Sequence, residues 1–424
     1  MKKSMIFAAV AAIVLSACSK VETVKVDTGE EPVNFGVYVP NTVTKGGIGG
    51  ALDNTTLQTK GFGVFGYYTG ANDYNVAGQS DPINFMYNTK VSGASWTYTP
   101  VKYWPNMTNG DGASTDDNAP KVSFLAYAPY AKVTASTGIS SPADGETGAS
   151  VGITKVSKNT DTGDAKVTYA VPNAFNPQTS VDLTYAVAKS VSYTNVAGAA
   201  VAVTDGDPIL NLSKPNTTTK IHFNFKHALT LLDVQTQLAV DQTTFGGTIS
   251  GTKVTVEEIK ITVPGQYNEG ILNLRTGEWE FGAETANKVV TIAGDNLNTP
   301  IKDLGSSTKY DSQPTGVVAD ALTPALVQTP VPGTLTLLPK TGATTTLTVE
   351  ITYYVITKDA DLADGESRVM NHITKDVEFP TTAFAKGTKN ILKIGLGLTS
   401  VKLEAEVANW DNGEDEDIYL PANK

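Results

Sequence analysis

The chain has one cysteine and three histidines in 424 residues, and its only arginines are Arg275 and Arg368. A single thiol, Cys18, allows no disulfide within the chain. Three histidines leave little material for general-base chemistry, and there is no His-Glu-x-x-His and no phosphate-cradling Gly-x-x-x-x-Gly-Lys-Ser/Thr. His222 and His227 are spaced so that one strand would carry them on opposite faces, where they cannot share a metal. Charged residues are only 18% of the chain, the net charge is −11, and no basic cluster occurs, which argues against nucleic acid as a partner. Beyond the N-terminus no apolar run is long enough to span a bilayer.

What is present starts with Lys2 and Lys3, an apolar run from Met5 to Val14, and then Leu15-Ser16-Ala17-Cys18. This order has the form of a secretory signal. Leu-Ser-Ala-Cys resembles a bacterial lipobox, so residues 1–17 are expected to be a lipoprotein signal peptide, cut before Cys18, whose thiol is then acylated. The expected location is the outer membrane, facing outward.

Thr, Asn, Ser and Gly supply most of the polarity, a composition suited to pleated surfaces and tight turns. Period-two alternation recurs at Ile221, Phe223 and Phe225, at Ile259, Ile261 and Val263, at Leu347 to Val355, and at Val401, Leu403, Ala405 and Val407. That period marks half-buried strands, and with no long amphipathic helix it predicts an all-β fold of two β-sandwiches in tandem. The polar, proline-bearing stretch Asn211–Thr219 is the expected boundary. The organisation read from the sequence is 18–45 as a lipidated propeptide, 46–215 as a first sandwich and 216–424 as a second.

Several aromatic stretches occur in a fixed order: Phe62-Gly63-Val64-Phe65-Gly66-Tyr67-Tyr68, Phe85-Met86-Tyr87-Asn88, Trp96-Thr97-Tyr98-Thr99-Pro100, Tyr103-Trp104-Pro105 and Phe124-Leu125-Ala126-Tyr127-Ala128-Pro129. Phe223-Asn224-Phe225-Lys226-His227-Ala228-Leu229 follows, then Ile394-Gly395-Leu396-Gly397-Leu398 and Asn409-Trp410. Together they resemble the fimbrillin family, subunits of the type V pili of Bacteroides-type bacteria. Read on their own, Trp96, Tyr98, Tyr103 and Trp104 are core rings.

The resemblance implies transthyretin-like sandwiches, other copies of the chain and other pilus subunits as partners, a role in cell adhesion as part of a fimbrium, and polymerisation by strand exchange. A protease removes the lipidated segment with the first strand, and a neighbour's strand fills the groove. Physically, a stripped edge exposes both unpaired backbone groups and an apolar groove, which a donor strand satisfies together. The removable strand is expected at Val33, Phe35, Val37 and Val39. Lys45-Gly46, ahead of a glycine-rich stretch, is the expected cut. In well-known members the cut follows arginine, and neither Arg275 nor Arg368 lies near this region. Donor candidates are Val401, Leu403 and Val407, or the terminal Ile418 and Leu420.

Enzyme readings are weak, and no catalytic residue, metal or cofactor is expected. Gly148-Ala149-Ser150-Val151-Gly152 spells a nucleophile elbow, but in a chain without the α/β context that Ser150 would need. Glu257 and Glu258 are adjacent on a strand and so face apart. Asp111, Asp116 and Asp117 lack the regular spacing of a calcium loop. Two other readings stay open: an accessory tip or anchor adhesin that recognises a host or bacterial surface receptor, and a monomeric surface lipoprotein binding glycans through Tyr267 and Trp279.

Overall fold

A computed structural model describes residues 31–38, 54–78, 80, 82–105, 119–134, 139–141, 152–171, 182–238, 244–245, 248–249, 252–282, 287–293, 303–304, 335–340, 344–396 and 401–409. Cys18, Val39, Lys45, Gly46, Ser150, Ile418, Leu420 and the aspartates at 111, 116 and 117 lie outside these residues. The expected all-β class holds: a single helical element, Asn54–Lys60, is described among strands. No described helix is long and apolar enough to cross a membrane.

The first large sheet has seven strands. In order across it come Asn34–Tyr38, Lys220–His227, Thr184–Ala188, Lys121–Ala128, Phe62–Gly70 and Met86–Val91, with Ile209–Leu212 also paired to Lys121–Ala128. Alternation along Phe62–Gly70 sends Phe62 and Val64 to one face and Phe65 and Tyr67 to the other, and all four are buried. The sheet is therefore covered on both sides. One face packs Phe35, Trp96, Trp104, Phe124 and Phe223 together. The other meets a six-stranded sheet through Tyr127, Tyr169, Val167 and Leu272. Gly63 is needed at this crowded layer, because a Cβ there would stand 2.5 Å from the Tyr127 ring.

Two further sheets form a second sandwich. A four-stranded sheet contains Leu335–Leu337, Thr230–Leu238, Thr388–Leu396 and Val401–Asn409, and a five-stranded sheet contains Thr252–Val263, Lys288–Ala293 and the long hairpin Thr345–Lys358 and Glu366–Phe379. Leu232, Ile261, Val349, Ile351, Phe379 and Ile394 share its core.

The sheets do not divide at 215/216. Lys220–His227 pairs with Thr184–Ala188 inside the first sheet, and Glu269–Asn273 pairs with Lys166–Ala170, carrying Trp279–Phe281 with it as the edge of the six-stranded sheet. The proline-bearing stretch is a turn between two strands of one sandwich. Polar composition reports exposure of the backbone to water and is blind to which sheet the next strand joins. The strand run of the second sandwich starts at Thr230, and the chain then returns to the first with 269–281.

Candidate functional site: the seat of the first strand

Asn34–Tyr38 sits at the edge of the seven-stranded sheet and pairs parallel with Lys220–His227, with Phe35 opposite Ile221, Gly36 opposite His222 and Val37 opposite Phe223. Val33 is 1% exposed and Phe35 is 2% exposed, while Val37 is half-buried. The Phe35 ring stacks on Phe223 at 5.3 Å and meets Phe124 at 5.6 Å and Tyr98 at 5.5 Å. Three of the four residues expected to fill a groove are thus placed, and two are sealed.

A second wall closes the near end of this seat. The Val33 amide donates to the Lys102 carbonyl at 2.9 Å and the Trp104 amide to the Glu31 carbonyl at 2.8 Å, with Pro32 and Tyr103 forming an antiparallel bridge. The Tyr98 hydroxyl donates to the Val33 carbonyl at 2.7 Å and receives the Lys102 amide at 3.3 Å. Burial raises the Tyr98 pKa, so the hydroxyl keeps its proton as a donor. Trp96 and Trp104 are buried beside it, Trp104 against Phe124 at 6.2 Å.

The two aromatic motifs therefore converge on one strand: Trp96 to Trp104 forms one wall and Phe223 to His227 the other. Sequence reasoning treated both as core packing and missed the convergence. The available signal was the hydroxyl of Tyr98 and the backbone run around Pro100, neither of which follows from hydrophobic period.

On the face of the strand turned away from Phe223, a Cβ at Gly36 would stand 2.8 Å from Cε1 and 2.9 Å from Nδ1 of His222. The imidazole occupies the space that a side chain at position 36 would use. Lys189, from the neighbouring strand's end, lies over the Tyr38 ring at 4.6 Å and pairs with Asp205 at 3.4 Å. Desolvation first, and Lys220 second, push the His222 pKa below its ordinary value. A histidine with a lowered folded pKa favours the docked strand fully above about pH 6.5, the unfolded value, and loses that contribution as pH falls through 6.5 toward the folded value. Protection factors of the amides of residues 34–38, taken against intrinsic exchange at each pH, are expected to be lower at pH 5.5 than at pH 7.5, and His222→Gln should remove most of that difference; equal pH dependence of protection in both proteins would exclude the mechanism.

His227, at the far end of the same strand, places Nδ1 3.0 Å from Asp182, and both residues are buried. The next residue's carbonyl, Ala228, accepts the Trp279 indole N–H at 2.8 Å. The histidine of the motif is thus an interior partner of a carboxylate, and no group of three or more metal-ligating side chains occurs among the described residues.

Tyr267 and Trp279 form no flat platform. Tyr267 stacks on Phe281 at 4.3 Å with an interplanar angle of 5°, and Trp279 lies at 5.8 Å and 11° from the same ring. Trp279 and Phe281 also cover Gly270, where a Cβ would stand 2.9 Å from each. The Phe281 ring takes up a face of each of the other two rings, and the group repairs the packing of a glycine in mid-strand. Tyr267 and Trp279 thus serve the packing around Gly270, with both rings half-buried.

Of the donor candidates described, Val401 is buried, while Leu403 and Val407 are half-buried on an edge strand paired antiparallel with Thr388–Leu396. Arg275 is held inside the first sandwich: its Nε donates to both Asp164 oxygens at 2.9 Å, Asn273 and Tyr74 add bonds at 2.9 and 2.7 Å, and its guanidinium reaches the Val76 carbonyl at 3.1 Å. Burial opposes the Asp164 charge, but these bonds outweigh it and hold the carboxyl below the usual range.

The fold is thus that of an all-β protein whose N-terminal edge strand is seated between an aromatic strand and a separate backbone wall. No family model matches the chain. It is 27% identical to fimbrium subunit Fim1C of Phocaeicola vulgatus over 97% of each chain. The fold is that of a fimbrial protein from Bacteroides vulgatus, with a TM-score of 0.58 and 22% identity over 90% of this chain and 99% of that one. The fimbrillin resemblance carried by the motifs thus holds along nearly the whole length.

Proposed function

We propose that the chain is a structural subunit of a fimbrium, working at the cell surface in contact with other pilus subunits and without catalysis. The relationship to a fimbrium subunit over 97% of both chains supports the role. The further reading is export as a lipoprotein through Cys18, cutting at Lys45-Gly46, loss of the first strand and polymerisation by strand exchange.

The observation that carries this reading is the seat. Val33 and Phe35 fill it, yet they belong to a short edge strand whose departure would break only its own pairing with Lys220–His227 and its bridge and bonds to residues 102–104. Once vacated, the seat would expose an aromatic groove and unpaired backbone groups on two walls, a strongly attractive site for a strand of alternating apolar residues. The edge strand Val401–Asn409 supplies that alternation, and its Leu403, Ala405 and Val407 are only half-covered at home. The terminal Ile418 and Leu420 are the alternative donor.

Mass and N-terminal sequence of protein sheared from cells, set against the detergent-extracted pool, provide the test. A sheared form starting at Gly46 and running as a ladder is the expected result. If all surface molecules start at acylated Cys18 and stay monomeric, the shaft-subunit reading fails and an anchor role replaces it.

A further inference from the structure

We propose that the basic side of the seat selects an acidic strand of a second copy over the chain's own neutral first strand, with Val401–Asn409 entering so that Glu404 faces His222 and Glu406 faces Lys189. The inference deepens the strand-exchange reading and rests on it.

The resident strand leaves that side uncompensated. Asn34 lies opposite Lys220, Gly36 opposite His222 and Tyr38 opposite Asn224, so no acid of the first strand meets a base of its neighbour. Among the described residues Lys220 and His222 have no carboxylate partner. Lys189, whose amide donates to the His222 carbonyl at 3.1 Å, lies over the Tyr38 ring and pairs with the exposed Asp205. The seat is filled on its apolar side and unanswered on its charged one, in a chain of net charge −11.

Val401–Asn409 carries the complement. Val401, Leu403 and Ala405 alternate with Lys402, Glu404 and Glu406, which are exposed on their edge strand. Leu403 in the place of Phe35 keeps the largest of the three apolar side chains between Phe223 and Phe124, with Val401 replacing Val33 and Ala405 replacing Val37. Glu404 then takes the position of Gly36, opposite His222, and Glu406 that of Tyr38, beneath Lys189. The imidazole must turn outward, since a Cβ at position 36 would meet it at 2.8 Å, and as the end of an exposed side chain it is free to do so. Lys402 falls opposite Lys220, but it travels with Glu404, its partner at home, which damps the repulsion. Glu406 exchanges Lys393 for Lys189.

Other placements do worse. A shift of two residues that sets Glu404 against Lys220 leaves only Ala405 in the Phe35 pocket. Reversed entry with Leu403 in that pocket turns Lys402 toward His222. The register is marked by side chains, because charge and size change at each step of the slide while main-chain groups do not.

The test uses fimbriae sheared from cells that make the full chain. Asn224→Cys with Glu406→Cys is expected to join successive rungs of the ladder by a disulfide, and Asn224→Cys with Ala408→Cys, which reports the shift of two, is not. His222→Glu and Glu404→Lys should each lower ladder yield about fivefold, and the two together should return it to within about twofold of wild type. Lys189→Glu with Glu406→Lys provides a second exchange of charge, which decides the matter if His222→Glu does not fold. Single reversals without effect, loss without rescue, or a ladder in which neither cysteine pair joins overturns the proposal; the last result would assign the donor to Ile418 and Leu420. A wild-type chain that forms no ladder removes strand exchange itself, a result distinct from a wild-type ladder that ignores the reversals.

Discussion

Phe35→Ala is expected to release the first strand while leaving the rest of the molecule folded. Truncating a buried phenylalanine usually costs about 3–5 kcal/mol, through lost transfer energy and the cavity left behind. Here the ring touches Phe223, Phe124 and Tyr98, residues of both walls, so little can collapse into the gap. Asn34–Tyr38 has a strand neighbour on one side only, with the second wall gripping residues 31–33, so the loss falls on local docking more than on global stability. Amide exchange of residues 34–38 should approach that of open chain, with protection of 230–238 and 345–379 unchanged. Val37→Ala, at a half-buried position, should have a much smaller effect. Retained protection in Phe35→Ala would mean that main-chain bonds alone hold the strand.

Asp164→Ala is expected to destabilise the first sandwich strongly at a site away from the seat. Removing one partner of a half-buried ion pair leaves the other charge unpaired, a loss for which the buried-pair cost of about 3–5 kcal/mol is the upper bound. Arg275 would also lose its only carboxylate among the described residues, and Tyr74 and Asn273 would lose their acceptor. A fall of up to roughly 6–20 °C in the melting temperature follows if the sandwich unfolds as a unit of about 150–250 residues. Replacing the pair together, as Asp164→Leu with Arg275→Met, should recover much of the loss, because two apolar side chains need no partner. Since the carboxyl is held below its usual pKa, its contribution is complete above the unfolded value near 4 and disappears as pH falls through the lower folded value. A melting temperature within 2–3 °C of wild type, about 1 kcal/mol, would show that the network adds nothing net.

Strand character was legible because side-chain period depends on the backbone alone: Ile221, Phe223 and Phe225 alternate in the chain and share a buried face in the fold. The first strand was legible for the same reason at Val33, Phe35 and Val37, as were the aromatic motifs. Their meeting was not. Trp96–Trp104 and Phe223–His227 are far apart in the chain, and apolar alternation states which face a residue presents but not which strand lies beside it. The boundary failed on the same point, since a polar turn looks alike within a sandwich and between two. Tyr267 and Trp279 were taken as exposed rings because aromatic identity does not reveal that Phe281 lies between them over Gly270.

The amino-acid sequence by itself determined the all-β class, the scarcity of catalytic side chains, the alternating first strand and the ordered motifs, because composition and period-two patterning are local properties. Only the tertiary structure decided that the first strand runs parallel to Lys220–His227, that Tyr98 and the backbone from Lys102 to Trp104 form its second wall, and that residues 269–281 return to the first sandwich. Those are pairings between segments distant in the chain, set by which apolar faces and unpaired backbone groups can be satisfied together.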